Sequence, residues 1–172
     1  MSKQIMVVYY SRGGHAKILA TQLGAELGCP VEELCGKKSY KGIPGLVKGI
    51  YHSLGKKYAG IENIKHNPSD YDAIVAVSPI WAAAMTPPVR TYLRENKENI
   101  AKLYLVSVAG SSGIEGMKEE TVKEIKLAVS GELALKASQI DDGTYSQQLK
   151  EFASNIKDTL SNHASVSTHQ ES

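Results

Sequence analysis

The feature that most constrains this chain is a set of short apolar runs without alternation. Residues 4–10 (QIMVVYY), 72–78 (DAIVAVS) and 102–108 (KLYLVSV) are nearly continuous in Val, Ile, Leu, Ala and Tyr. A strand buried on one face alternates apolar with polar residues. A continuous run needs burial on both faces, which is the position of a central strand in a parallel sheet. Residues 30–35 (PVEELC) and 134–140 (ALKASQI) are weaker and read as edge or near-edge strands.

Helical stripes lie between these runs. Ala16, Leu19, Ala20, Leu23 and Leu27 share one helix face, and Gly28 and Pro30 stop that helix. Met117, Thr121, Val122, Ile125, Ala128 and Val129 form a second stripe, which Gly131 ends, and Leu149, Phe152, Ala153, Ile156 and Leu160 form a third. Thr86 followed by Pro87 and Pro88 reads as an N-cap opening a short helix through Tyr92 and Leu93. Strands alternating with helices give an α/β fold: a doubly wound, five-stranded parallel sheet with helices on both faces.

At 172 residues the chain reads as one domain over 1–161. The segment 162–172 (NHASVSTHQES) has no periodicity and is expected to be a disordered tail. A formal charge of +2 supports neither nucleic-acid binding nor long-range steering of an acidic partner. No apolar stretch has the length of a membrane span. The N-terminal apolar run ends at Ser11-Arg12 without a cleavage site, so it reads as a strand rather than a signal peptide. Cys29 and Cys35 are too few for a disulfide framework or a zinc site. They read as small, mostly buried side chains in a reducing cytoplasm.

Residues 36–60 carry a further stripe of Val47, Ile50, Tyr51, Leu54 and Tyr58. From Gly36 to Lys65 there are seven lysines and one acid, Glu62. The plain expectation is a solvated helix packed by its apolar face. The sharper one is a basic, tyrosine-bearing wall beside a binding site.

In an open parallel sheet, ligands bind beyond the carboxyl ends of the strands, where the strand order reverses. Three unusual stretches fall at such ends: Ser11-Arg12-Gly13-Gly14-His15-Ala16, the loop Pro79–Thr86, and Ala109-Gly110-Ser111-Ser112-Gly113. The first suits a phosphate, because paired glycines let successive N–H groups point inward and the following helix adds its positive end. Ser11 and His15 offer further donors. Neither the Walker loop nor the dinucleotide fingerprint is present. The second stretch carries Trp81, the only tryptophan in the chain, whose flat face can stack on a planar ring. The third offers backbone donors and acceptors for the edge of a heterocycle.

A phosphate site at one end and a flat ring site at the other describe a mononucleotide. With YYSRGGHAKILA, PIWAAAMTPPVRTYL and AGSSG, the chain resembles the flavodoxin family and the related flavodoxin-like FMN-dependent reductases over about residues 4–160. That resemblance implies strand order 2-1-3-4-5 with FMN at the β1/β3 switch point. It implies that Ser11, Arg12, Gly13, Gly14, His15 and Ala16 surround the FMN phosphate and that Pro79, Ile80, Trp81 and Ala82 border the isoalloxazine. Ala109, Gly110, Ser111, Ser112 and Gly113 are implied to contact its other side and pyrimidine edge. The family's common phosphate loop is S/T-x-T-G-N-T. Here Gly13 and Ala16 stand at the threonine positions and His15 at the asparagine. Ala83 stands where the family often places glycine, and no tyrosine follows in the third loop to cover the second flavin face, which leaves it open or covered by Tyr40, Tyr51 or Tyr58.

The resemblance implies an FMN-binding oxidoreductase, either carrying electrons for a protein partner or reducing small acceptors such as quinones with NAD(P)H as donor. The lysines at 37–57 are expected to favour the reduced, anionic flavin and two-electron chemistry. Two other classes are a cofactor-free binding module of this fold and a hydrolase built on Ser11. The sequence lacks G-x-S-x-G and the phosphatase loop C-x5-R, and it presents no side chain as a catalytic acid or base.

Overall fold

The computed structural model describes residues 4–36, 42–55, 58, 60–110 and 116–167. Its elements in chain order are β1 (Ile5–Tyr9), α1 (His15–Leu27), β2 (Val31–Glu33), α2 (Gly42–Leu54), β3 (Ala73–Trp81), β4 (Ala84–Met85), α3 (Pro87–Asn96), β5 (Leu103–Ala109), α4 (Gly116–Glu120), β6 (Gly131–Lys136), α5 (Ala137–Asp141) and α6 (Ser146–Ser167). Five strands form a parallel sheet in the order β2-β1-β3-β5-β6, and β4 turns back antiparallel onto the end of β3. The expected order is therefore observed, with a short hairpin added.

The continuous apolar runs are the three central strands, and β1 and β5 are buried at every position. Alternate residues feed two cores. Val7, Val75 and Val106 face Leu19 and Leu23 of α1 and Leu149 and Ile156 of α6. Met6, Ile74 and Leu105 face Val89, Tyr92 and Leu93 of α3, together with Met117 and Ile125. Burying both faces of β1, β3 and β5 is what permits runs with no polar alternation.

Several elements depart from expectation. The last strand is 131–136, not 134–140: Gly131–Lys136 pairs in register with Tyr104–Ala109, and Ala137–Asp141 is a helical turn. The helix expected to run to Val129 leaves the α geometry earlier. It widens into a π-helical turn over Thr121–Ile125 and stops at Lys126, which is left-handed. Thr86 does precede α3, but its hydroxyl bonds Ser78 Oγ (2.9 Å) rather than an α3 amide. The prolines at the first two helical positions leave no N–H there to cap. In α2, Val47 and Tyr51 of the expected packing stripe are each 63% exposed. Cys35 is exposed rather than buried. α6 continues through 162–167 as helix, beyond the expected end at 161. No helix among the described residues is long and apolar enough to cross a membrane.

Candidate functional site

β2 lies on one side of β1 and β3 on the other, so the chain reverses its direction of travel across the sheet between β1 and β3. Beyond the carboxyl ends of β1, β3 and β5 lies a cavity of ≈ 260 Å³. It is lined by Ser11, Arg12, Gly13, His15 and Ala16 from the first turn, by Pro79, Ile80 and Trp81 from the end of β3, and by Ala109 and Gly110 after β5. Sequence reasoning therefore placed ten of its candidates around one space. Gly14 and Ala82 adjoin it without lining it, and Ser111, Ser112 and Gly113 lie outside the described residues. Val108 and Ala137 also line it and were not foreseen. The expected strand 134–140 contains Ala137, which instead opens α5 and lines the cavity.

The first turn has a backbone suited to an anion. Gly14 has φ 98°, and its N–H donates to Ser11 Oγ (3.1 Å), so the serine hydroxyl closes the turn from within. Positive φ here is the reason for glycine. The first bond inside α1 runs from the Ile18 N–H to the Gly14 carbonyl (3.0 Å). Helix geometry thus leaves the amides of His15, Ala16 and Lys17 without an intrahelical acceptor. No acidic side chain of α1 itself occupies that first turn, so nothing within the helix offsets its positive end. Built on Gly13, Gly14 or Gly110, a Cβ would meet nothing within 4 Å, so space is open beside all three. His15 Nε2 lies 2.8 Å from Asp141 Oδ1 at the end of α5, so one ring nitrogen is directed to a carboxylate.

The second wall is a hairpin rather than the loop expected over Pro79–Thr86. β3 continues to Trp81 and pairs Ile80 with Met85 and Trp81 with Ala84. Ala82 (φ 50°) and Ala83 (φ 59°) form the two-residue turn, both left-handed. This backbone twist suits a tight hairpin but normally selects Asn and Gly. For alanine it costs roughly 1–2 kcal/mol per residue. Trp81 is half-buried, and its ring meets that of Tyr10 edge-on (centroids 5.8 Å apart, planes at 83°). An edge-to-face contact of this kind fixes the plane of the indole at the cavity. Tyr10 is a contributor that sequence reasoning passed over, because it follows an apolar strand and looks like its continuation.

Of the tyrosines considered as covers, Tyr40 lies outside the described residues. Tyr51 and Tyr58 do not line the cavity, and the Arg94 guanidinium stacks over the Tyr58 ring at 4.1 Å. Lys37, Lys38, Lys41, Lys56 and Lys57 also lie outside the described residues. A second cleft of ≈ 400 Å³ lies along β2. Its buried carboxylate, Glu32, is already occupied by the amides of Lys65 (2.6 Å) and His66 (3.2 Å) and by His66 Nδ1 (3.0 Å). Tyr9 at the end of β1 donates to Glu33 Oε2 (3.0 Å), and burial, then that carboxylate, push its phenol up to about 12. It stays protonated at neutral pH.

The fold that carries this site has counterparts among solved proteins. The chain has the flavodoxin-like fold. A Lactobacillus acidophilus flavoprotein solved in complex with FMN superposes with a TM-score of 0.63 at 19% identity, covering 82% of this chain and 98% of that one. A flavodoxin from the domain Archaea gives 0.58 at 16% identity over 92% and 99%. The flavodoxin of Fusobacterium nucleatum, bound to flavin mononucleotide, gives 0.55 at 9% identity over 91% and 98%. No family model and no curated protein matches the sequence. The likeness therefore lies in the fold.

Proposed function

We propose that this flavodoxin-like protein binds FMN and works as an oxidoreductase through it, carrying electrons or reducing small acceptors such as quinones. The observation that carries this reading is the single cavity that joins an anion-binding turn to an aromatic wall at the sheet's switch point. The residues fit the cofactor. The amides of the first turn and of α1 would hold the phosphate, and Ser11 would keep the turn closed. Missing threonine hydroxyls at Gly13 and Ala16 leave the task to the backbone, and open space at Gly13 and Gly14 lets the phosphate approach it. Trp81, held by Tyr10, would border the ring, and Ala109 and Gly110 would present backbone groups on its other side.

When bound, FMN supplies reversible acceptance of electrons or hydride. The chain's part is to bind, orient and exclude water from one side of the ring. At ≈ 260 Å³ the cavity is just below the usual range for ligand sites, about 300–1,000 Å³. A mononucleotide would fill it and leave an edge open to a donor such as NAD(P)H or to an acceptor.

The test is the visible spectrum of the purified protein, with FMN titration of any apoprotein. Flavin bands released as FMN on denaturation, or saturable one-to-one binding, support the reading. A colourless protein that FMN fails to saturate overturns it in favour of a cofactor-free binding module. Oxidation of NAD(P)H with a quinone then distinguishes a reductase from a carrier.

A further inference from the structure

The hairpin beside the cavity is held by a device outside it. Arg90 of α3 and Glu120 at the end of α4 are 1% and 4% exposed, and Arg90 Nε pairs with Glu120 Oε1. The pair does not simply neutralise itself. Glu120 Oε2 accepts the Met85 N–H (3.2 Å), and Arg90 Nη2 donates to the Met85 carbonyl (2.9 Å). An antiparallel ladder satisfies alternate residues, and next to a two-residue turn Met85 is the one directed away from β3. The ion pair therefore stands in for a missing neighbouring strand on the outer edge of β4.

Two further contacts act on the same turn. The Ala83 carbonyl packs against Gly116, where a Cβ would stand 2.0 Å from that oxygen. Ser78 Oγ accepts the Thr86 N–H (3.2 Å) and shares a hydrogen bond with Thr86 Oγ1 (2.9 Å), tying the hairpin's end to β3. Glu120 sits where α4 widens into its π-helical turn, a distortion often found at functional positions. Helix α4 follows the third loop of the cavity, and Arg90 belongs to the helix that follows the hairpin. One buried pair thus joins the elements that follow two of the three walls.

We propose that Arg90 and Glu120 are positioning residues. Clamping both backbone groups of Met85, they hold Ala82 and Ala83 in left-handed geometry and so fix Trp81 at the mouth of the cavity for a planar heterocycle. The affinity readout rests on the FMN reading, whereas a second readout, exchange of the hairpin amides, does not. Replacing the pair with apolar side chains (Arg90→Met with Glu120→Leu) removes the clamp without leaving a lone buried charge. This double variant is expected to melt above the Glu120→Gln variant, to exchange its Trp81–Met85 amides at least tenfold faster than the unaltered protein, and to lose at least tenfold in FMN affinity. Adding Ala82→Asn and Ala83→Gly, which favour the same turn without outside help, is expected to restore most of both losses. Merely structural damage would not be repaired by a change in the turn. Should the double variant fail to fold, Gly116→Ala, which pushes on the Ala83 carbonyl while keeping the pair, must give the same two losses. Unchanged exchange and affinity on removing the pair, or no recovery with Asn-Gly, overturns the proposal. Failure of the unaltered protein to bind FMN overturns the FMN reading and leaves the exchange comparison to decide this one.

Discussion

Two of the cavity's three walls ask the same thing of the backbone and obtain it by opposite means. At the first turn the unusual dihedral falls on Gly14, and the turn is closed by a neighbour three residues away, Ser11. At the hairpin the unusual dihedrals fall on Ala82 and Ala83, and the restraint comes from Gly116, Glu120 and Arg90, on other elements. A strained conformation persists only where its surroundings over-determine it. Local chemistry suffices in the first wall, while tertiary contacts are needed in the second.

The sharpest way to break this contrast is Glu120→Gln. It takes the Glu120 carboxylate away from Arg90 in a site that is almost wholly buried. Removing one partner of such a pair costs about 3–5 kcal/mol. For a chain of this size that lowers the melting temperature by roughly 10 °C. Calorimetry or a circular dichroism melt measures it, and a loss under ~1 kcal/mol would mean the hairpin does not depend on the pair. Next in size is Gly14→Ala. Space around that position is open, so no clash contributes and only the backbone conformation is tested. The expected loss is roughly 1–3 kcal/mol, accompanied by weaker FMN binding. Wild-type stability in a urea titration would show that the turn adapts to a side chain.

Legibility follows the same division. The central strands were readable because burial on both faces leaves an unbroken apolar run, as in AIVAV of β3 and LYLVSV of β5. The first turn was readable because its determinants, Ser11, Gly13 and Gly14, are contiguous. The hairpin was not: Ala-Ala carries no turn signal, and what enforces the turn lies some thirty residues later at Gly116 and Glu120. The last strand was misplaced for a related reason. In GELALK only Leu135 is fully buried, and the following ASQI has similar apolar content although it forms a helical turn. The role of Tyr10 was hidden by its likeness to the strand residues before it.

A third prediction sharpens the contrast by reversing its sign. Ala83→Gly removes a left-handed penalty of roughly 1–2 kcal/mol and adds about 0.5–1 kcal/mol of unfolded-state entropy. The net expectation is a stabilisation of about 0.5–1 kcal/mol, read from the denaturant midpoint at unchanged slope. Destabilisation would mean that the Ala83 methyl group contributes packing that outweighs its strain. The equivalent glycine at the first turn is already present, so that wall has no such gain available.

The smallest expected effect concerns the tie between the first turn and the far edge of the sheet. His15 and Asp141 meet at 2.8 Å, but their side chains are 33% and 68% exposed. Partly exposed pairs of this kind are worth about 0.2–1 kcal/mol in water. Asp141→Asn should therefore change stability by less than ~1 kcal/mol, within reach of a careful denaturant titration. Its effect on the anion site has the opposite sign. With the FMN phosphate in the first turn, as proposed, removing a carboxylate beside it takes away a repulsive charge and frees a ring nitrogen of His15 for the ligand. FMN should bind the variant somewhat more tightly, by about two- to fivefold, corresponding to less than ~1 kcal/mol. The gain should shrink as salt is raised, because an exposed charge is screened. Weaker binding would mean that Asp141 orients His15 for the phosphate, which would make the first wall, like the second, dependent on a residue far away in sequence.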